Sequence, residues 1–205
     1  MNKKYLWLMM VLVTLSFVAD AQGKLNLMNG KIILFDSIGK AGNEKYIYAI
    51  HANNESYSYT IGKRRIFSIV FADGREEIIF TSDSTISDLN VPQMKDFVKG
   101  EQDCWKYYKP KMVTVGGLVI GAGAGILGFY GPFFPAFYAI IETASAPPDI
   151  AKEPYADKAY ANNEFYAYGF EIAAKKKKLK NALYGGGISF VTSFVAYTII
   201  SKHIH

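Results

Sequence analysis

The chain has 205 residues, half of them hydrophobic, a formal net charge of +5 and one cysteine. A single cysteine excludes an internal disulfide, and so small a positive charge does not mark a nucleic-acid binder. The mean hydropathy of +0.06 is high for a water-soluble chain of this length, and the excess lies at the N-terminus, in 112–141 and in 183–200.

Residues 1–21 read as a signal peptide. Lys3 and Lys4 form the basic start and Tyr5 to Val18 the apolar run. Ala19-Asp20-Ala21 puts small residues where a signal peptidase reads, with the cut before Gln22. No cysteine stands near that cut, which excludes a bacterial lipoprotein. In an exported chain an odd thiol such as Cys104 either cross-links two copies or lies buried and inert, and the inert state is expected here.

Residues 24–83 form a β-rich domain. The runs KIILF, KYIYAIH, SYSYTI, RRIFSIVF and REEIIF are separated by turn signals. Asp73-Gly74 between the last two marks a hairpin, because both residues tolerate positive φ. In the fourth run Ile66, Ser68 and Val70 alternate with Phe67, Ile69 and Phe71, so both faces are apolar enough to be covered. A five-stranded antiparallel meander curled like a small SH3-type barrel is expected. Tyr46, Tyr48, Tyr57 and Tyr59 are its candidate binding contacts, and Lys63-Arg64-Arg65 reads as a solvated turn.

Residues 84–111 are a linker and a juxtamembrane helix over 93–108, with Ser87 or Asp88 as cap and Pro92 early in it. Trp105, Tyr107, Tyr108 and Lys109 stand directly before a long apolar run. Amphipathic aromatics and snorkelling lysines suit a membrane interface.

Residues 112–146 are a glycine-rich transmembrane segment with a proline break. Met112 to Phe129 carries no charge and spans about 27 Å as a helix, against a hydrocarbon core of about 30 Å. Gly131, Pro132 and Pro135 predict a break, then a short helix to Ser145 that lies in the interface, re-enters or crosses. Gly117, Gly121, Gly125 and Gly128 recur on one helix face and clear it for a neighbouring backbone.

Residues 147–182 hold a loop and an amphipathic basic helix starting near Asn163. Phe165, Tyr168, Ile172, Leu179 and Leu183 share one face, opposite Lys175, Lys176, Lys177 and Lys178. The positive-inside rule assigns those four lysines to the cytoplasmic interface, so an odd number of passes through 112–146 is expected. Residues 183–201 form the last transmembrane helix. Its Gly185, Ser189 and Ser193 make a second small-residue ridge that packs on the first, within one chain or between chains.

No catalytic or cofactor pattern appears. The sequence lacks GxSxG, Walker A, HExxH and CxxC, Glu76 and Glu77 point to opposite faces of a strand, and His203 with His205 is too small a set for a metal site. No enzyme activity, cofactor or metal is expected.

The stretches IFSIVFADGREEIIF, DCWKYYKPK, ASAPPD and YAYGFEIAAKKKKLK resemble a loosely defined group of uncharacterised secreted or membrane proteins of Bacteroidota-type bacteria. The resemblance implies no activity. The expected fold class is α+β, a small β domain followed by two or three apolar helices. The expected function is a non-catalytic inner-membrane protein with a periplasmic β module. Its implied partners are the lipid bilayer and a second copy or another envelope protein, not nucleic acid. An accessory subunit of a pore or transporter, and a periplasmic or outer-membrane-associated protein with a buried apolar hairpin, are the alternatives.

Overall fold

The computed structural model describes residues 22–53, 55–82, 88–150, 160 and 162–204. The expected signal peptide lies outside the described residues, as do Ser87, the side chain of His203 and all of His205. The chain divides into two compact units. One is a β unit ending at Thr81; the other is a helical unit from Ser82 onward that also takes in the turn Asn29–Lys31.

Among the described residues, β1 (Gly23–Leu27), β2 (Ile32–Phe35), β6 (Ile66–Val70) and β7 (Glu76–Ile78) form one antiparallel sheet in the order β2-β1-β6-β7. β3 (Ser37–Lys40), β4 (Lys45–Ala52) and β5 (Glu55–Gly62) form a second, in that order. All five expected runs are strands, but β1 and β3 join them and no closed barrel forms. The expected SH3-type barrel is corrected to two open sheets. The chain changes sheet at Asp36, which is held by residues distant in sequence. Its carboxylate accepts the His51 amide at 2.6 Å and the Gln22 side chain at 3.1 Å, while its own amide donates to Ala49. Held in this way, Asp36 passes the chain from the end of β2 into β3 on the other sheet.

Leu25, Leu27, Phe35, Tyr46, Ile61, Ile66, Ile69 and Ile79 from both sheets meet in one apolar core. Tyr46 is therefore a core residue and not a surface contact. Tyr48 stacks on Tyr59 across the β4–β5 ladder, and Tyr57 and Tyr59 remain exposed. β6 is buried on both faces from Ile66 to Ile69, as its alternation predicts. Gly74, at φ 85, turns β6 into β7.

In the helical unit α1 (Val91–Tyr107) begins at Asn90 rather than Ser87 or Asp88. The Asn90 side chain accepts the Gln93 amide while the Gln93 side chain accepts the Asn90 amide, a reciprocal cap followed by Pro92. α2 (Lys111–Ala124) runs into a 3-10 turn, Gly125–Tyr130, and the chain then enters α3 (Phe133–Ala144). Gly128 lies inside that turn at φ 58, ψ −125, and a Cβ there would meet nothing within 4 Å. Its expected place on the packing face is corrected: Gly128 permits the bend and packs on nothing. α4 (Glu164–Ile204) is one helix of 41 residues, about 62 Å long. The basic segment and the last apolar run are one element, capped by Asn163, whose side chain accepts the Phe165 and Tyr166 amides.

Each of the other helices packs on α4. Where α1 crosses it, Gly100 faces the Tyr166 carbonyl and Gly169 faces the Phe97 carbonyl so closely that neither position has room for a Cβ. The buried face of α4 here is Tyr166, Gly169, Phe170, Ala173 and Ala174. It is not the expected stripe: Tyr168, Leu179 and Leu183 are exposed, because the crossing selects the side with the smallest residue. Further along, Gly117 faces Ala182 and Gly186, Gly121 faces Gly186 and Ser189, and Gly125 faces Ser193 and Phe194. Gly185 faces Thr114, and Ser193 Oγ donates to the Gly121 carbonyl at 3.3 Å. The two small-residue ridges thus meet within one chain.

Replacing Gly121 by Ile drives a side chain into the Gly186 carbonyl, and overpacking of this kind costs about 1–3 kcal/mol. Gly123 has nothing within 4 Å of its missing Cβ, so Gly123→Ala should stabilise by about 0.5–1 kcal/mol. Thermal unfolding of the purified variants should move the two in opposite directions.

Candidate functional site

Successive residues of an α-helix point about 100° apart, so four consecutive lysines on α4 reach four different surroundings. Lys175 pairs with Glu171 on its own helix at 2.6 Å, and Lys176 reaches Glu101 of α1 at 2.9 Å. Lys177 Nζ donates to the carbonyls of Cys104 at 2.9 Å, Trp105 at 2.8 Å and Tyr108 at 2.6 Å. Lys178 Nζ donates to Ser145 Oγ at 2.7 Å and the Ala146 carbonyl at 2.8 Å. The last carbonyls of a helix have no partner within it and carry partial negative charge. Lys177 reaches two of them, at Cys104 and Trp105, and the Tyr108 carbonyl that follows α1, while Lys178 holds Ser145 and Ala146 just past the end of α3.

Because Lys177 and Lys178 are neighbours, Tyr108 and Ala146 lie at one level of the unit. The chain between them leaves along α2 and returns along α3. Tyr138 of α3 donates to the Val113 carbonyl near the start of α2 at 3.1 Å, and its ring fills the space beside Gly116. Residues 111–144 therefore form a helical hairpin. Gly128 and Gly131 allow the reversal, and Tyr138, against Gly116 and the Val113 carbonyl, ties its arms together.

On the other side of this level the α1–α4 contact combines a closed apolar cluster with polar bonds. Tyr166 Oη donates to Asp103 at 3.0 Å, Lys99 pairs with Asp103 at 2.8 Å, and Asn163 donates to Asp96 at 2.8 Å. Cys104 is fully buried, beside Tyr166, Phe170, Ala173 and Ala174, as a free thiol. Glu101 is 1% exposed, and its second carboxylate oxygen has no hydrogen-bond partner among the described residues. Burial raises its pKa above the ordinary carboxyl value, against the opposing pull of Lys176. The aromatic residues expected at an interface partly turn inward. Lys177 stands over the Trp105 ring, Tyr108 packs on Phe170, and Tyr107 is half-buried beside Lys106, while Lys109 is exposed.

On the α2–α3 side of the level of Tyr108 and Ala146 the burial pattern is inverted. Gly117, Gly121, Ala124, Gly125, Ala139, Ala182, Gly185 and Gly186 are buried. Large apolar side chains point outward on all three elements, for example Met112, Val119 and Phe129, then Phe137 and Ile141, then Ile188, Val191 and Ile200. Lys111–Tyr130 and Glu164–Lys202 are long and apolar enough to span a membrane, yet only 28% and 11% of their apolar windows are buried. A core helix of a water-soluble domain would bury most of its apolar surface. Among the described residues no His, Cys, Asp or Glu group gathers that could hold a metal.

No protein-family model, curated protein or solved structure matches this chain. Gly100, Gly169, Glu101 and Asp103 were not singled out from sequence. An isolated glycine in a helix costs about 1 kcal/mol relative to alanine, and that cost at Gly100 and Gly169 was the signal for a close crossing.

The sign of the Glu101 shift gives a test. A carboxyl whose folded pKa is raised favours the fold fully below the ordinary carboxyl pKa, and that contribution is lost as pH rises through the raised value. The difference in Tm between Glu101→Gln and the parent should therefore grow in the variant's favour from pH 4 to pH 7. A second variant, Lys177→Met, removes the ammonium shared by the Cys104, Trp105 and Tyr108 carbonyls and should cost about 1–3 kcal/mol at either pH.

Proposed function

We propose that this chain is a non-catalytic membrane anchor in the cell envelope, with its β unit as the non-membrane module. The inverted burial of the bundle carries this reading. In water, leaving so many large apolar side chains exposed while burying glycine forfeits the hydrophobic effect. In a bilayer the lipid tails solvate those side chains, and helices associate where small residues admit close contact. Residues 183–202 of α4, about 30 Å of helix, match the hydrocarbon thickness.

In this arrangement α4 makes the one crossing. The α2–α3 hairpin enters beside it and turns back. Gly125 lies against Ser193 and Gly131 against Phe190, so the tip stops well before Lys202. Lys175 to Lys178 and α1 share one side of the membrane, and the end of α4 reaches the other. The lysine cluster bonds within the protein, so the positive-inside rule has less hold on it. The glycine ridges are filled within the chain and offer no face to a second copy.

Two measurements test this reading. The protein should stay in the membrane pellet after alkaline carbonate extraction; release without detergent would sink it. In a Cys104→Ala background, Lys95→Cys and Lys180→Cys should react with a membrane-impermeant maleimide from the same side, and Lys202→Cys from the opposite side. Labelling of positions 95 and 180 from opposite sides would overturn the hairpin as drawn here.

A further inference from the structure

At the head of α2 a pocket of about 270 Å³ opens between that helix and α4. Lys109, Lys111 and Lys177 line it, with Tyr108, Thr114 and Asn181, and no acidic side chain does. Lys177 is fixed in the wall by its three carbonyl bonds. Lys109 and Lys111 are exposed, and neither forms an ion pair among the described residues. Pro110 precedes α2 without a side-chain cap, and the first turn of α2 contains no acidic residue. Its leading amides therefore add positive potential where the lysines already concentrate it.

We propose that this pocket binds the phosphate of an anionic phospholipid. Two exposed ammonium groups with no carboxylate partner among the described residues, those of Lys109 and Lys111, stand beside an uncapped helix start and before the fixed charge of Lys177, and this set selects an anion with several acceptor oxygens. The position selects the source. Directly below the pocket, α2 exposes Met112, Val115 and Leu118, and α4 exposes Leu183 and Tyr184. A bound headgroup would lay its acyl chains along these side chains, whereas a free phosphate would leave them without a role. Asn181 supplies a neutral hydrogen-bonding group beside the lysines, and Lys177, held by its three carbonyl bonds, adds a fixed positive charge. Basic pockets of this kind between membrane helices, at the headgroup level, suit anionic lipids.

The proposal rests on the membrane reading, and its test separates the two. The full-length protein, purified in a neutral detergent, is titrated with phosphatidylglycerol, phosphatidylcholine or inorganic phosphate while thermal unfolding and lipid retention by native mass spectrometry are followed. Phosphatidylglycerol should raise the Tm and be retained, and phosphatidylcholine should do neither. One juxtamembrane lysine near an anionic headgroup contributes roughly fivefold, so Lys109→Gln with Lys111→Gln should weaken phosphatidylglycerol binding roughly 25-fold. A charge-matched control, Lys95→Gln with Lys106→Gln, should keep the parent affinity. The double variant leaves Lys177 and the α1–α4 contact intact, so its Tm without lipid should stay near the parent's.

Equal binding of both lipids, full affinity in the Lys109/Lys111 variant, or loss of affinity in the control would each overturn the site. An equal shift with inorganic phosphate alone would overturn the lipid as its ligand. Protein that resists carbonate extraction yet shows no lipid preference would refute this inference and leave the anchor standing. Protein released by carbonate would remove the anchor and this inference with it.

Discussion

Two adjacent ammonium groups, those of Lys177 and Lys178, hold the helical unit in its arrangement. One gathers the final carbonyls of α1, and the other binds the chain just past α3. A helix terminus away from water must have its carbonyls met by something, and at the end of α1 a lysine of α4 supplies donors. Tying both ends to consecutive residues of α4 fixes the level at which α2 leaves and α3 returns. That fixes where the polar part of the unit stops and the apolar part starts. Lys178 is almost fully buried, a placement tolerated because its donors have partners.

Below this tie, cohesion comes from contact distance. Large side chains between α2 and α4 would hold the backbones apart; glycine, alanine and serine let carbonyls and amides approach side chains directly. Dispersion contacts are individually small and sum over the length of the crossing. Ser189 and Ser193 bond back to carbonyls of their own helix, and Ser193 also reaches Gly121 across the interface. The same device recurs at the polar α1–α4 crossing, through Gly100 and Gly169. One packing principle thus serves two regions with different surroundings.

Much of this was legible in the sequence. The spacing of Gly117, Gly121 and Gly125, and of Gly185, Ser189 and Ser193, pointed to the two faces that meet, because helical periodicity converts directly into a shared face. The β runs and the Asp73-Gly74 hairpin were legible for the same reason: alternation and turn chemistry are local. The barrel failed because a single residue, Asp36, moves the chain between sheets through bonds to Gln22 and His51, which are far from it in sequence. Tyr46 failed because alternation identifies a face without saying which face is covered. The lysine run misled most. Four consecutive cations read as a charged surface, and only the tertiary arrangement shows that three of them reach across to other parts of the fold. Gly128 fitted the glycine spacing but lies where the helix has already become a turn, and spacing alone does not reveal where a helix stops.

The dominance of α4 also bears on biosynthesis. The helices α1 and α2–α3 precede it in the chain, and each finds its main packing partner in it. During synthesis from the N-terminus, the glycine face of α2 and the terminal carbonyls of α1 therefore wait for a segment not yet made. The hairpin must persist without its main packing partner until residues 164–194 emerge. Assembly of the helical unit is therefore a late event, and until it occurs the surfaces that native packing covers stay exposed.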